Sequence, residues 1–342
     1  MKKYTVLDLF SGCGGMSLGF EHAGFEILLG IDNWNDALVT FKNNHWNSNI
    51  LCADLASITP SDISTEYKKF DIIIGGPPCQ GFSIAGKRNI TDTRNELYKS
   101  FVGFVDQLKP KAFVMENVPN IVSMGKGLIK NNIIHDFASL GYSTVVKILS
   151  SSDYGVPQNR RRAIFVGIKG KNEFDFSKLK KTSVVTSKEA ISDLPEYSIL
   201  DATEHISKPL SEYQMLMRNS FSKVYNHVTT EHKEKTVKII SMVPDGGNYK
   251  DLPRSLQSTR KVNIAWTRLN SNSPSFTIDT GHRHHFHYKF NRVPTVRESA
   301  RIQSFPDSFI FSGTKTSQYK QVGNAVPPLL AKVIAEALKD VI

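Results

Sequence analysis

The sequence predicts an α/β fold: an open nucleotide-binding sheet built from alternating strands and helices, followed by a second, irregular domain. Three observations carry this. The apolar run YTVLDLF (4–10) leads directly into the glycine turn SGCGG (11–15) and then into the helical pattern MSLGFEHAGF, which is the strand, turn and helix order of a nucleotide site in a parallel sheet. Short hydrophobic runs rich in β-branched residues recur through the first 190 residues, each bounded by glycine, proline or a carboxylate, as strand signals are. After Leu194 this alternation fades, and polar, Asn, Ser, His and basic residues dominate from about 197 to 292.

The elements follow in order. The second strand, FEILLGID (25–32), ends in Asp32, about twenty residues past the glycine turn, the place from which a carboxylate reaches ribose hydroxyls. A third ends at LCAD, in Asp54. Either carboxylate also suits a helix cap. FDIIIGG (70–76) reads as a buried strand stopped by glycine, and GGPPCQGFS (75–83) follows its apolar core. Pro77 and Pro78 fix φ and lack N–H groups, so they hold the thiol of Cys79 in a preset direction, as a nucleophile requires. The plain alternative for Cys79 is a small buried hydrophobe. KAFVMENVP (111–119) is a strand ending in Glu116, STVVKIL (143–149) is another, and QNRRRAIFVGI (158–168) sets three arginines against a further strand. VRESARIQSFPDSF (296–309) starts as an amphipathic helix and stops at Pro306. KQVGNAVPPLLAKVIAEAL (320–338) places a turn before a closing helix whose apolar face packs back on the first domain.

The formal net charge is +11, and it is unevenly placed: residues 1–100 carry net −2 and residues 101–342 net +13. A basic second part on a nearly neutral first part points to a polyanion, nucleic acid foremost, although a lysine-rich solvated surface has the same composition. The three cysteines, Cys13, Cys52 and Cys79, are widely separated and odd in number, which excludes a disulfide framework and a four-cysteine zinc site. Seven of the ten histidines fall in 197–292, with a cluster HRHHFH at 282–287. That cluster lacks cysteine or carboxylate partners at ligand spacing, so the expectation is surface or phosphate-facing histidines and no metal. No opening signal peptide and no bilayer-length apolar run occur, so the expectation is a soluble intracellular protein.

Six blocks stand in an order and spacing of their own: DLFSGCGG (8–15), GGPPCQGFS (75–83), ENV (116–118), QNRRR (158–162), TVRESARIQSFPD (295–307) and QVGNAVPP (321–328), with a variable basic segment between the fourth and fifth. Over nearly its whole length the chain resembles the DNA (cytosine-5)-methyltransferases of bacterial restriction-modification type. The resemblance implies a Rossmann-like S-adenosylmethionine-dependent methyltransferase sheet with a second, smaller, irregular or β-rich target-recognition domain. The implied divisions are a catalytic domain at 1–190 plus 318–342, a recognition domain at 191–285, and a hinge and support at 286–317.

The resemblance also implies roles. Cys79 is the thiolate that adds to cytosine carbon 6, Glu116 the carboxyl group at the N3 edge of the base, and Arg160 and Arg162 the arginines beside them. For the cofactor S-adenosylmethionine, Phe10 stacks on adenine, and Gly12, Gly14 and Gly15 let the backbone approach the amino-acid part. Asp32 holds the ribose, Asp54 with Leu55 meets the adenine amine, and Pro77, Asn324 and Val326 complete the pocket. Where the family has glutamate and then a large aromatic residue, this chain has Asp32, Asn33 and Trp34, so Asn33 or Trp34 takes the adenine contact. The segment after the nucleophile resembles the family's mobile loop, with Ser83, Lys87, Arg88 and Arg94 placed for DNA. Arg254, Gln257, Arg260, Asn263, Arg268 and Asn270 are candidates for reading bases in the major groove, and TRLNSNSPSFTIDTG (267–281) is similar to the family's recognition core.

The implied partner is double-stranded DNA, bound by a cytoplasmic, nucleoid-associated monomer without membrane contact. The implied pairing is functional, with a restriction endonuclease that need not touch it. Two alternatives are a tRNA cytosine-5 methyltransferase and a non-catalytic DNA-binding regulator of the same fold. The long basic insert favours a reader of DNA sequence, and the joint presence of Cys79, Glu116 and the cofactor glycines speaks against a relic.

Overall fold

The computed structural model describes residues 3–63, 67, 69–78, 97–257, 266–281 and 285–342. It divides into two compact units, one of Met1–Ser150, Arg161–Lys181 and Val326–Ile342, the other of Ser151–Arg160 and Thr182–Ala325.

The first unit contains β1 (Thr5–Leu9), α1 (Gly15–His22), β2 (Glu26–Asp32), α2 (Asn35–Asn44), β3 (Asn49–Cys52), β4 (Ile72–Gly75), α3 (Leu97–Leu108), β5 (Ala112–Asn117), α4 (Leu128–Ser139), β6 (Tyr142–Ser150) and β7 (Arg161–Lys169). Its seven strands lie in the order β3-β2-β1-β4-β5-β7-β6. The first five are parallel, while β7 runs antiparallel to both β5 and β6. Chain order reverses between β1 and β4, so the crevice outside their carboxyl ends is where such a sheet takes its ligand. The glycine turn leaves one of these ends and the Pro77–Pro78 step the other.

Strands buried on both faces need continuous apolar runs rather than alternation. Val6, Leu7, Leu9, Ile72, Ile73 and Ile74 are accordingly fully buried. Glycine closes β4 for a steric reason: a methyl group on Gly75 would stand 2.2 Å from the Leu9 carbonyl oxygen. On one face Phe113 packs against Phe137 with ring centres 3.9 Å apart, and against Phe101 and Tyr142 edge-on. The closing helix, Pro328–Lys339, lies against α1, where a side chain at Gly19 would meet Ala331 Cβ at 2.4 Å.

The helix Ser187–Ile191 packs on the helix Val296–Ile302 and falls with it in the second unit. The second unit is irregular. Among its described residues the strands form two pairs, Ala202–Glu204 with Lys223–Tyr225 and Thr267–Arg268 with His285–Phe286. Its centre holds the block TVRESARIQSFPD. The amphipathic helix expected there is instead buried on every face, all seven residues of Val296–Ile302 included. Burial is tolerated because the charges are paired or hydrogen-bonded. Arg297 donates to the carbonyls of Tyr225, Pro306 and Phe309 at 2.9, 2.9 and 2.6 Å. Arg301 bridges Asp307 and Asp193, and Arg292 forms a two-pronged pair with Glu298 at 2.7 and 2.8 Å.

The histidine cluster also corrects the expectation of a surface role. His285 and His287 are buried, and His287 Nδ1 accepts the backbone N–H groups of Lys289 and Phe290, both at 3.0 Å. Burial pushes the His287 imidazole down to about 4. For Glu298 burial acts upward, but the Arg292 guanidinium outweighs it and holds the carboxylate well below its usual range.

Two measurements test these assignments. Phe113→Ala should lower unfolding stability by about 3–5 kcal/mol, read from denaturant midpoints, because it empties the centre of the aromatic cluster. His287 stays neutral in the folded protein down to about 4, whereas the unfolded chain takes up its proton near the ordinary 6.5. Stability should therefore fall as pH drops from about 6.5 towards 4, with Glu298 adding to the loss at lower pH. In His287→Asn the decline across that window should be shallower than in the wild type, and equal slopes would refute the assignment.

Candidate active site

The glycine turn contains Phe10, Gly12, Gly14 and Gly15 of the predicted cofactor residues, and Asp32 reaches it. Phe10, Gly12 and Gly14 have φ of +57°, +53° and +91°, a left-handed conformation that is easy for glycine and strained for phenylalanine. Asp32 ties the turn to the end of β2: its Oδ2 accepts the Gly12 N–H at 2.8 Å and its Oδ1 the Trp34 N–H at 2.9 Å. Burial pushes the Asp32 carboxyl upward, and these backbone donors oppose the shift. At Gly12 a methyl group would meet nothing within 4 Å, so the backbone there borders open space. Beneath the turn, Ser17 Oγ donates to buried Asp8 at 2.6 Å, and burial pushes the Asp8 carboxyl up to about 8. Burial likewise pushes the Cys13 thiol up to about 12, which makes it an inert packing group.

The remaining cofactor candidates are more dispersed. Trp34 is half-buried at the start of α2, Asn33 is exposed, and Asp54 is exposed with its Oδ1 accepting Ala56 N–H at 3.0 Å. Leu55 and Val326 are buried in the first unit, whereas Asn324 is exposed at the end of the helix Lys315–Asn324 in the second.

A second constellation forms where β5 meets β4 and β7. Glu116 pairs in register with Ile164 of β7, which sets Arg162 diagonally across on the same face. Arg162 Nε then reaches Glu116 Oε1 at 2.8 Å. The other carboxylate oxygen faces Gly76, where a methyl group would stand 3.3 Å from it. The adjacent Asn117, on the opposite face and buried, donates from Nδ2 to the Pro77 carbonyl at 3.0 Å. Its Oδ1 accepts the Val118 N–H at 2.8 Å, which fixes the amide's orientation. Two successive prolines offer no N–H to the sheet, so a donor aimed at a carbonyl is the available anchor. Asn117 was not singled out in the sequence, although ENV contained it.

Arg160 belongs to the second unit, buried, with its guanidinium directed at the carbonyls of Ile278 and Asn324 at 3.5 and 3.4 Å. Cys79, Ser83, Lys87, Arg88, Arg94, Arg260 and Asn263 lie outside the described residues. Among the candidates for DNA, Arg254 and Asn270 are exposed. Gln257 spends its amide on the carbonyls of Lys250 and Leu252 at 3.0 and 2.7 Å. Arg268 is corrected outright. It is buried and donates to the carbonyls of Val243, His287, Phe290 and Ile240 and to Asn291 Oδ1, at 2.6–3.3 Å. Those bonds occupy a guanidinium's donors, so Arg268 is a strut inside the unit.

A seven-stranded sheet of this order, with one antiparallel strand inserted and a glycine turn at its switch point, defines the S-adenosylmethionine-dependent methyltransferase fold. The family model for C-5 cytosine-specific DNA methylases matches residues 4–340, and the chain belongs to that family of enzymes. The chain is 40% identical over 339 residues to the Type II methyltransferase M1.HphI of Haemophilus parahaemolyticus, covering 98% of this chain and 86% of that one. It is 37% identical to the Type II methyltransferase M.DdeI of Desulfomicrobium norvegicum, over 98% of this chain and 88% of the other. A solved structure of a prophage-encoded E. coli protein, described as a DNA modification methyltransferase, superposes with a TM-score of 0.84 at 28% identity, over 99% of both chains. Among the described residues no helix is long and apolar enough to cross a membrane.

Replacing Arg268 by Ala should cost at least ~2 kcal/mol of stability, since each buried carbonyl left unpaired costs about 1–3 kcal/mol. The discrimination between a cognate duplex and single mismatches should be unchanged at temperatures where the variant is folded. A variant of wild-type stability with relaxed specificity would reverse the assignment.

Proposed function

We propose that this chain transfers a methyl group from S-adenosylmethionine to carbon 5 of a cytosine within a short specific sequence of double-stranded DNA. The observation that carries the reading is the Glu116 carboxylate, fixed by Arg162 beside Gly76. Gly76 stands three positions in sequence before Cys79, and the glycine turn and the Pro77–Pro78 step leave the neighbouring strands β1 and β4. The family description supports DNA over tRNA.

The residues present fit the cofactor. The open space at Gly12 lets a ligand approach bare backbone, and Asp32, Phe10 and Trp34 surround the same turn. When bound, S-adenosylmethionine supplies an electrophilic methyl group. Carbon 5 of cytosine is a poor nucleophile until the Cys79 thiolate adds to carbon 6, forming an S–C bond and shifting electron density onto carbon 5. Glu116 assists by holding a proton at N3, and Arg162 keeps its carboxyl group oriented. After methylation the carbon 5 proton leaves to a base, the S–C bond breaks, and the thiolate is regenerated. Asn117 holds the Pro77 carbonyl and so sets the direction in which the chain departs towards Cys79. A base stacked in a duplex is out of reach of any such thiol, so the target cytosine is extruded, at a cost of a few kcal/mol. The Type II naming of the relatives supports a role in protecting DNA from an endonuclease with the same target; the proposal takes the protein as a cytoplasmic monomer that need not contact that endonuclease.

Cys79→Ser should abolish methyl transfer while S-adenosylmethionine still binds, and wild-type protein should be trapped covalently on duplex containing 5-fluorocytosine, whose fluorine cannot leave as a proton does. Near-normal turnover by the serine variant would sink the reading. Glu116→Gln should lower kcat by about 10²–10⁴-fold, with little change in affinity for the cofactor.

A further inference from the structure

The glycine turn is held from two sides, and only one of them belongs to the machinery described so far. Asp32 holds Gly12 from the end of β2. On the other side, a methyl group on Gly14 would stand 2.2 Å from Nε2 of His45 and 2.8 Å from the Phe41 ring, so the Gly14 Cα rests directly on the imidazole. His45 follows α2, is 1% exposed, and packs its ring on Phe41 with centres 4.3 Å apart. Its Nδ1 lies 2.7 Å from Glu21 Oε2, and Glu21 belongs to α1, the helix that Gly14 caps.

The backbone around His45 is equally constrained. Its N–H donates to the Phe41 carbonyl at 2.9 Å, and its own carbonyl accepts Ser48 N–H at 3.0 Å. Ser48 Oγ in turn donates to Ile27 of β2 at 2.8 Å. The imidazole is thus a wedge tied to β2 through the loop and to α1 through Glu21, with the turn seated on it.

We infer that His45, oriented by Glu21, is a positioning residue for the S-adenosylmethionine turn. The inference rests on the proposed use of that turn for the cofactor. A turn with positive φ at Phe10, Gly12 and Gly14 has no regular hydrogen-bond ladder to hold its shape, and a ligand that approaches its backbone gains affinity only where that shape is prepared in advance. The ring contact sets the height of Gly14, while the bond to Glu21 stops the ring from turning away. Glu21 acts only through His45, so the two side chains form one coupled unit.

The test measures S-adenosylmethionine affinity by calorimetry in wild type, His45→Ala, Glu21→Gln and the double variant, with duplex DNA affinity measured alongside. His45→Ala should raise Kd for the cofactor about tenfold or more, the equivalent of one charge-assisted hydrogen bond. Glu21→Gln, which keeps the side-chain volume, should give a smaller rise, and the double variant should be no worse than His45→Ala, as expected of coupled partners. KM for the cofactor should rise with little change in kcat, and DNA affinity should stay at its wild-type value. Unchanged cofactor affinity in a folded Glu21→Gln and His45→Ala would overturn the inference, as would losses that add or that fall equally on DNA. If the wild type itself bound no S-adenosylmethionine, the proposed function would fail instead.

Discussion

The reversal of one strand governs the chemistry of this molecule. Because β7 runs antiparallel beside β5, residues near its start lie against residues near the end of β5, and Arg162 meets Glu116 at 2.8 Å. Had β7 been parallel, its beginning would have lain at the opposite edge of the sheet, and the carboxylate would have needed a cation from a loop. A strand pair holds its side chains more firmly than a loop does. Glu116 and Asn117 then exploit the pleat: successive residues point to opposite faces, one to Arg162 and the other to the Pro77 carbonyl. A dipeptide step on one rigid strand therefore fixes both the carboxylate and the approach to the proline step.

The parts of the site that could be read in the sequence are those whose reason is local. The glycine turn needs positive φ at fixed positions, and Gly12 and Gly14 stand there. Asp32 sits at a strand end and does reach the turn, through backbone N–H groups. Histidine and arginine in the second part were misread for a physical reason. Whether an arginine faces solvent or the interior depends on how many carbonyls and carboxylates the tertiary fold brings to it, which neither composition nor periodicity records. Arg268 finds four carbonyls and an amide, and His287 accepts two backbone N–H groups of the turn that follows it. The helix Val296–Ile302 looked amphipathic for the same reason, since its charged residues are inward-facing and paired.

This inward use of arginine changes the meaning of the charge distribution. Residues 101–342 carry net +13, yet Arg160, Arg218, Arg268, Arg292, Arg297 and Arg301 are all buried. Arg218, Arg292 and Arg301 are matched by Asp193, Glu298 and Asp307, while Arg268 and Arg297 spend their guanidinium groups mainly on carbonyls. The planar fork suits that task, because one group satisfies several carbonyls that irregular backbone leaves without ladder partners. An irregular unit with little regular sheet has many such carbonyls, and arginine replaces the missing ladder.

Among the described residues of the second unit, the exposed cations are chiefly lysines. Lys233, Lys235, Lys250 and Arg254 are exposed, and Lys238 is exposed but shares its charge with Glu234 at 2.9 Å. Lysine is a strongly hydrated point charge and suits phosphates better than base edges, which call for a bidentate fork. Cations of this kind, where they meet a polyanion, give affinity that is sensitive to salt but indifferent to sequence. Among the described residues, the neutral groups of the second unit include the exposed Asn270, whose Oδ1 accepts the Asn272 N–H at 2.8 Å, so that its amide is held in one orientation.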